Sequence, residues 1–208
     1  MGLVSGGTTI FDAGAIDSGI ATGSMTFIKK LTASSSSTLS FIDGASSVVL
    51  DNTYGEYLIS FTNIHPATDA QHLQFQVNAV DGSGFDLGVS AWHWRAFNNE
   101  GGNDRGAAIH NDPDTFVQNN GTAYQPIATN LGADNDQSSH GFLHLINPSS
   151  TTFVTQFYSR FSISNSGNYI QDNHVCGHFN ATAAVDEISF KMTSGAIASG
   201  VICLYGIK

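Results

Sequence analysis

Apolar and polar residues alternate along this chain with a period of two. In Tyr57-Leu58-Ile59-Ser60-Phe61-Thr62, the residues Tyr57, Ile59 and Phe61 share one face, and over 71–78 Leu73, Phe75 and Val77 alternate with polar neighbours. Successive side chains of a strand point to opposite sides, so both stretches predict half-buried strands. Between them, Pro66 has no amide to give a ladder and biases His65 toward extended geometry, while Asn63 and Asp69 can bond their own backbone. The expectation is a central hairpin, strands 57–62 and 71–78 joined by a tight connection.

The same pattern predicts strands over 25–31, 38–42, 47–50, 87–97, 141–146, 152–161, 174–179, 187–192 and 201–205, with Phe153, Phe157 and Phe161 on one face of their strand. Asp43-Gly44, Asp51-Asn52, Asp81-Gly82-Ser83-Gly84 and Asn147-Pro148 supply the turns, and the serine run 34–37 reads as a strand end or turn. Turn signals every 8 to 12 residues mark sandwiches and barrels. No window of twelve residues sustains helical spacing. The segment 98–135, rich in Asn, Asp and Gly, reads as a long irregular excursion of the kind that carries function. The fold expected is all-β, an antiparallel jelly-roll-like β-sandwich over residues 25–208 preceded by an extended N-terminal arm, residues 1–24. The arm holds six Gly and two Asp but no Lys or Arg. It reads either as a docking segment for neighbouring subunits or as a free tail.

Composition narrows the function. Of 208 residues only 12% are charged, about half the usual share, and seven Lys and Arg against seventeen Asp and Glu give a net charge of −10. The cations Lys29, Lys30, Arg95, Arg105, Arg160, Lys191 and Lys208 are scattered. Nucleic-acid binding needs clustered cations, and anionic membranes repel such a chain, so neither partner is expected. The start lacks a basic segment followed by an apolar stretch, which suggests folding in a cytosol. Cys176 and Cys203 fit that compartment as buried thiols.

Candidate chemistry is sparse. Alternate positions place His174, Cys176 and His178 on one strand face, a metal-like grouping that His140 or His144 could complete, against a bland reading as polar sheet-face residues. Asp134-Asn135-Asp136-Gln137 spaces oxygen ligands as calcium loops do but lacks their glycine and distal glutamate, so turn chemistry explains it better. Trp92, Trp94 and Arg95 could form a glycan-stacking platform, although tryptophan pairs on strands more often belong to cores. No nucleophile elbow, metal-protease helix or phosphate loop occurs, and Glu56, Glu100 and Glu187 stand isolated, so neither an enzyme nor a cofactor is expected.

Several strings together carry a family likeness: the segment 54–69 (YGEYLISFTNIHPATD) followed by Leu73-Gln74-Phe75-Gln76-Val77, then Asn135-Asp136-Gln137-Ser138, Gly141-Phe142-Leu143, Asn147-Pro148-Ser149, the segment 188–195 (ISFKMTSG) and the segment 202–207 (ICLYGI). Over roughly residues 25–208 the chain resembles structural proteins of tailed phages infecting marine and freshwater bacteria. That resemblance implies a virion component assembled in the host cytoplasm: a homo-oligomer, often a trimer, forming the exterior β-sandwich of a tail fibre or appendage, or else a capsid decoration. It implies partners among other virion proteins; the arm, which lies outside the likeness, is expected to make that attachment, and a host-surface glycan is the further partner expected. It assigns no functional residues. A glycan-binding module tied to no particle is the alternative that the tryptophans keep open.

Overall fold

The computed structural model describes residues 3–5, 8–12, 15–16, 24–110 and 116–208. Period-two patterning becomes strand wherever it persists, and no helix occurs among the described residues. Three short strands, β1 (Leu3–Ser5), β2 (Thr8–Asp12) and β3 (Ala15–Ile16), pair antiparallel in a sheet of their own. The docking role expected of residues 1–24 falls largely outside the described residues.

The remaining strands are β4 (Met25–Ser36), β5 (Leu39–Ile42), β6 (Glu56–Pro66), β7 (Gln71–Ala79), β8 (Val89–Asn99), β9 (Arg105–His110), β10 (Asn119–Gly121), β11 (Gln125–Leu131), β12 (Ser139–Ile146), β13 (Gln156–Ser164), β14 (Tyr169–Phe179), β15 (Val185–Met192) and β16 (Ile197–Ile207). One sheet has the order β11-β7-β15-β5; the other runs β10-β8-β14-β13-β12-β6-β16-β4, with β9 also on β8. The quartets β4-β16-β6-β12 and β5-β15-β7-β11 together make an eight-stranded jelly roll. Every link between consecutive members changes sheet, except that from β7 to its neighbour β11. Two insertions, one carrying β8, β9 and β10 and the other β13 and β14, extend the larger sheet beyond β12.

Phenylalanine fills the space between the sheets. Phe61 of β6 packs edge-on to Phe190 of β15 at 5.2 Å and against Phe161 of β13 at 5.0 Å, and Phe75 of β7 meets Phe157 of β13 at 4.9 Å and Phe179 of β14 at 5.8 Å. Tilted and edge-to-face rings are the favoured contacts of aromatic quadrupoles. Because Phe157, Phe161 and Phe179 come from inserted strands, the insertion shares the core with the jelly roll. Two glycines make room for these rings. Gly177 is the cross-strand partner of Phe157, and Gly141 that of Phe161. A Cβ at either position would collide with that ring and with a backbone carbonyl. Buried Gln76 ties the first insertion down: its Nε2 donates to the carbonyls of Leu87 (3.0 Å), Ala123 (3.2 Å) and Thr122 (3.3 Å).

Several sequence expectations are corrected. The segments 57–62 and 71–78 do not form a hairpin: β6 and β7 lie in different sheets, and residues 67–70 arch between them, with Ala70 at φ +58°. β6 continues through Asn63 to Pro66 because Asn63, at φ +53°, absorbs a bulge. The excursion 98–135 contains three strands, among them β11, where a run with little alternation is buried almost throughout. Segment 47–50 is loop, although Val48 and Leu50 are core. Phe153 precedes β13 in a turn and is 70% exposed, so it does not join Phe157 and Phe161. Both cysteines are free, but Cys176 is exposed and Cys203 half-buried.

Candidate functional site: the outer face of the extended sheet

The larger sheet has one face on the core and one toward solvent, and the parity of each strand decides which residues reach which side. In β8 the buried positions are Val89, Ala91 and His93, which sends Trp92 and Trp94 outward. In β14 Gln171, Asn173 and Val175 are buried, so Asp172, His174, Cys176 and His178 project outward. In β13 Phe157, Ser159 and Phe161 point in, leaving Tyr158 and Arg160 on the outer face beside His144 and Phe142 of β12.

Antiparallel register aligns these residues in two rows across four strands. Trp94, His174, Arg160 and Phe142 are successive cross-strand partners, as are Trp92, Cys176, Tyr158 and His144. The pairs are in contact. Trp94 and His174 stack with centroids 4.1 Å apart and planes 7° from parallel, and His144 and Tyr158 do the same at 4.4 Å and 8°. Phe142 meets His144 edge-on at 5.3 Å. Between the rows lies a cleft of about 360 Å³ walled by Trp92, Trp94, Tyr158, Arg160 and His174. A shallower depression of about 590 Å³, lined by Thr62, His140 and Asp172 among others, adjoins it and shares Phe142 and Arg160.

Polar groups on this face are paired with one another. Arg160 grips Asp172 through two bonds, Nε to Oδ1 at 3.0 Å and Nη2 to Oδ2 at 2.9 Å, and His174 Nε2 lies 3.2 Å from Asp172 Oδ1. The Arg160 hydrogen bonds outweigh desolvation and hold the Asp172 carboxyl below its ordinary range. His144 Nδ1 meets the Glu56 carboxylate. Desolvation, with a smaller contribution from Glu56, raises the Tyr158 phenol, which therefore stays protonated as a donor. The surface thus offers aromatic planes 39% (Trp94), 44% (Tyr158) and 48% (Trp92) exposed beside the Arg160–Asp172 ion pair.

Trp92, Trp94, His174, Cys176 and His144 among the sequence candidates take part, and Arg95 does not. Trp92 and Trp94 face solvent rather than the core, and His174 is the stacking partner of Trp94. Arg95 is an odd step from both tryptophans, so it lies on the opposite face, where Nη1 donates to Gln171 Oε1 at 2.8 Å. The guanidinium on the tryptophan face is Arg160, sixty-five residues further on. Only the pairing of β14 with both β8 and β13 brings it there, and no spacing in the sequence signals that. His174, Cys176 and His178 do share a face, yet among the described residues no group of three or more His, Cys, Asp or Glu is placed to hold a metal ion. Asp134 to Gln137 form a turn closed by the Gln137 amide on the Asp134 carbonyl at 2.9 Å. No family model, curated protein or solved structure matches the chain.

Proposed function

We propose that the chain is an exterior virion subunit, the β-sandwich of a phage tail fibre or appendage, and that it acts by adhesion through the outer face of its extended sheet. The single observation that carries the adhesive role is the solvent-facing double row Trp92–Cys176–Tyr158–His144 and Trp94–His174–Arg160–Phe142. Aromatic planes are costly to leave in water and are the surface that sugar rings stack on, while Arg160 and Asp172 supply directional hydrogen bonds at the edge. Because these charges cancel one another, the natural ligand of the face is a neutral glycan. The site stands on the inserted strands β8, β13 and β14 together with β12 of the jelly roll.

The virion assignment draws its support from the resemblance of the strings over residues 54–69, 135–149, 188–195 and 202–207. Assembly into homo-oligomers, trimers in particular, would multiply weak single-site affinity. Binding rather than cleavage suits the electrostatics, because a carboxyl held below its ordinary range, as Asp172 is, makes a poor general acid. The test is binding of fluorescent protein to a panel of bacterial-surface polysaccharides, with the Trp92→Ala/Trp94→Ala variant alongside. Saturable binding to a neutral glycan that the double variant loses while keeping its thermal midpoint supports the reading; equal binding by both proteins overturns it.

A further inference from the structure

On the inner side of the large sheet, past the edge of the aromatic core, the two sheets are bridged by polar side chains. Asn173 Nδ2 donates to Thr129 Oγ1 at 2.7 Å and Gln171 Nε2 to the Thr129 carbonyl at 3.0 Å, joining β14 to β11. Beyond Gln171 the sandwich opens into a cleft of about 300 Å³, whose walls include Arg95, Phe97, Asp104, Asn130, Tyr169 and Gln171. Arg95 is the unusual member. It is half-buried, and desolvation pushes its guanidinium below the ordinary arginine value, yet no carboxylate among the described residues lies within ion-pair distance of it. Its Nε is sealed from solvent without a hydrogen-bond partner, Nη1 has the Gln171 amide oxygen, and the ring of Phe97 lies 5.5 Å from its carbon centre. Asp104, the one acid on the cleft wall, accepts from the Tyr169 hydroxyl of the same wall at 2.7 Å and forms no ion pair with Arg95.

A guanidinium carries five donors in a planar fork and cannot discharge by losing its proton. Desolvating it without a counter-ion costs stability that a bound carboxylate would restore. The remainder of the wall suits a polyol: amide groups of Asn130 and Gln171, a carboxylate and a phenol for hydroxyl groups, and the Phe97 and Tyr169 rings, edge-on to each other at 5.9 Å, as a hydrophobic side. We propose that this cleft is a second ligand pocket, distinct from the outer tryptophan face, that binds a carboxylated sugar residue with its carboxylate on Arg95. The two sites would then divide an acidic surface polysaccharide between them by charge. The assignment of this pocket stands on its own geometry and does not depend on the outer face binding anything.

The experiment titrates full-length protein with galacturonate and glucuronate and, separately, with galactose and glucose, following amide and side-chain shifts by NMR. Expected is a saturable shift at Arg95, Gln171 and Tyr169 with at least one acid, and an affinity for it about tenfold or more above its neutral counterpart, the usual worth of a charge-assisted hydrogen bond. Arg95→Gln should lose that preference, Arg95→Lys should keep part of it, and Trp94→Ala should leave it unchanged. The absence of a saturable shift with either acid, equal affinity for acid and neutral sugar, or unchanged acid binding by a folded Arg95→Gln protein would each overturn the proposal.

Discussion

Replacing Gly177 with alanine tests whether the inserted strands are held as closely as the structure shows. A Cβ at position 177 would lie 2.7 Å from Phe157 Cζ and 2.9 Å from Ala91 Cα, and closer still to the Ser90 carbonyl oxygen. Ordinary contacts need about 3.5–4.0 Å, so the ring would have to move by about 1 Å and β8 would have to part from β14. Overpacking a close-fitted site costs about 1–3 kcal/mol, and the backbone obstacles, which cannot rotate away, place this case in the upper half. Against that, alanine recovers about 0.5–1 kcal/mol over glycine within a strand. The net loss is about 2 kcal/mol, which for a chain of this size lowers the thermal midpoint by about 4–8 °C. Differential scanning calorimetry reads it, with Gly84→Ala as control because nothing lies within 4 Å of a Cβ there. The strain also spreads to the outer face, since β8 carries Trp92 and Trp94, so glycan binding should fall with stability. A Gly177→Ala protein within about 0.5 kcal/mol of the parent, the scatter of ordinary surface changes, would refute the close approach of β8 and β14.

Other perturbations have equally definite outcomes. Gln76→Leu removes three carbonyl contacts that fasten residues 87 and 122–123, and hydrogen exchange of those segments should rise well above that of β15, whose ladder is untouched. The Asp172 carboxyl is held below its ordinary value by Arg160, so its contribution to stability is complete above about pH 4 to 5 and fades as pH falls through the lowered folded value. Urea midpoints across pH 2–6 should show this loss, and Asp172→Asn should flatten it. Desolvation depresses His72, whose Nδ1 accepts the Asn130 amide at 2.9 Å, so the unfolded chain takes up a proton before the folded one does. Stability should therefore drop as pH falls from about 6.5 toward the folded value, and His72→Gln should remove that step. At Ala70, where a left-handed φ of +58° strains an L side chain by about 1–2 kcal/mol, Ala70→Gly should leave the thermal midpoint equal or higher.

Much of the fold could be read in the sequence because burial on one side imposes parity on a strand. Tyr57, Ile59 and Phe61, then Leu73, Phe75 and Val77, all lie in the core as their alternation requires. Which strand pairs with which was not legible, since alternation says nothing about partners. Residues 57–62 and 71–78 look like a hairpin locally, and only the bulge at Asn63 and the arch at Ala70 send the chain to the other sheet. β11 has little sequence signature because its burial on both sides, with Gln125 and Thr129 inside, leaves little alternation. The candidate site was half legible. Trp92, Trp94 and His174 stood out by residue type, but parity alone separates Arg95 from the tryptophans, and Arg160, Tyr158 and His144 join them only through register. Glycines 141 and 177 are meaningful solely through the phenylalanines opposite them.

The measurement closest to the central claim is the intrinsic fluorescence of Trp92 and Trp94, the two tryptophans of the chain, during titration with neutral bacterial-surface oligosaccharides. The outer-face account predicts long-wavelength emission, quenching by acrylamide in the free protein, and a saturable change with protection from quenching when a glycan binds. Emission typical of a buried indole, or exposed tryptophans that respond to no member of the panel, would contradict it.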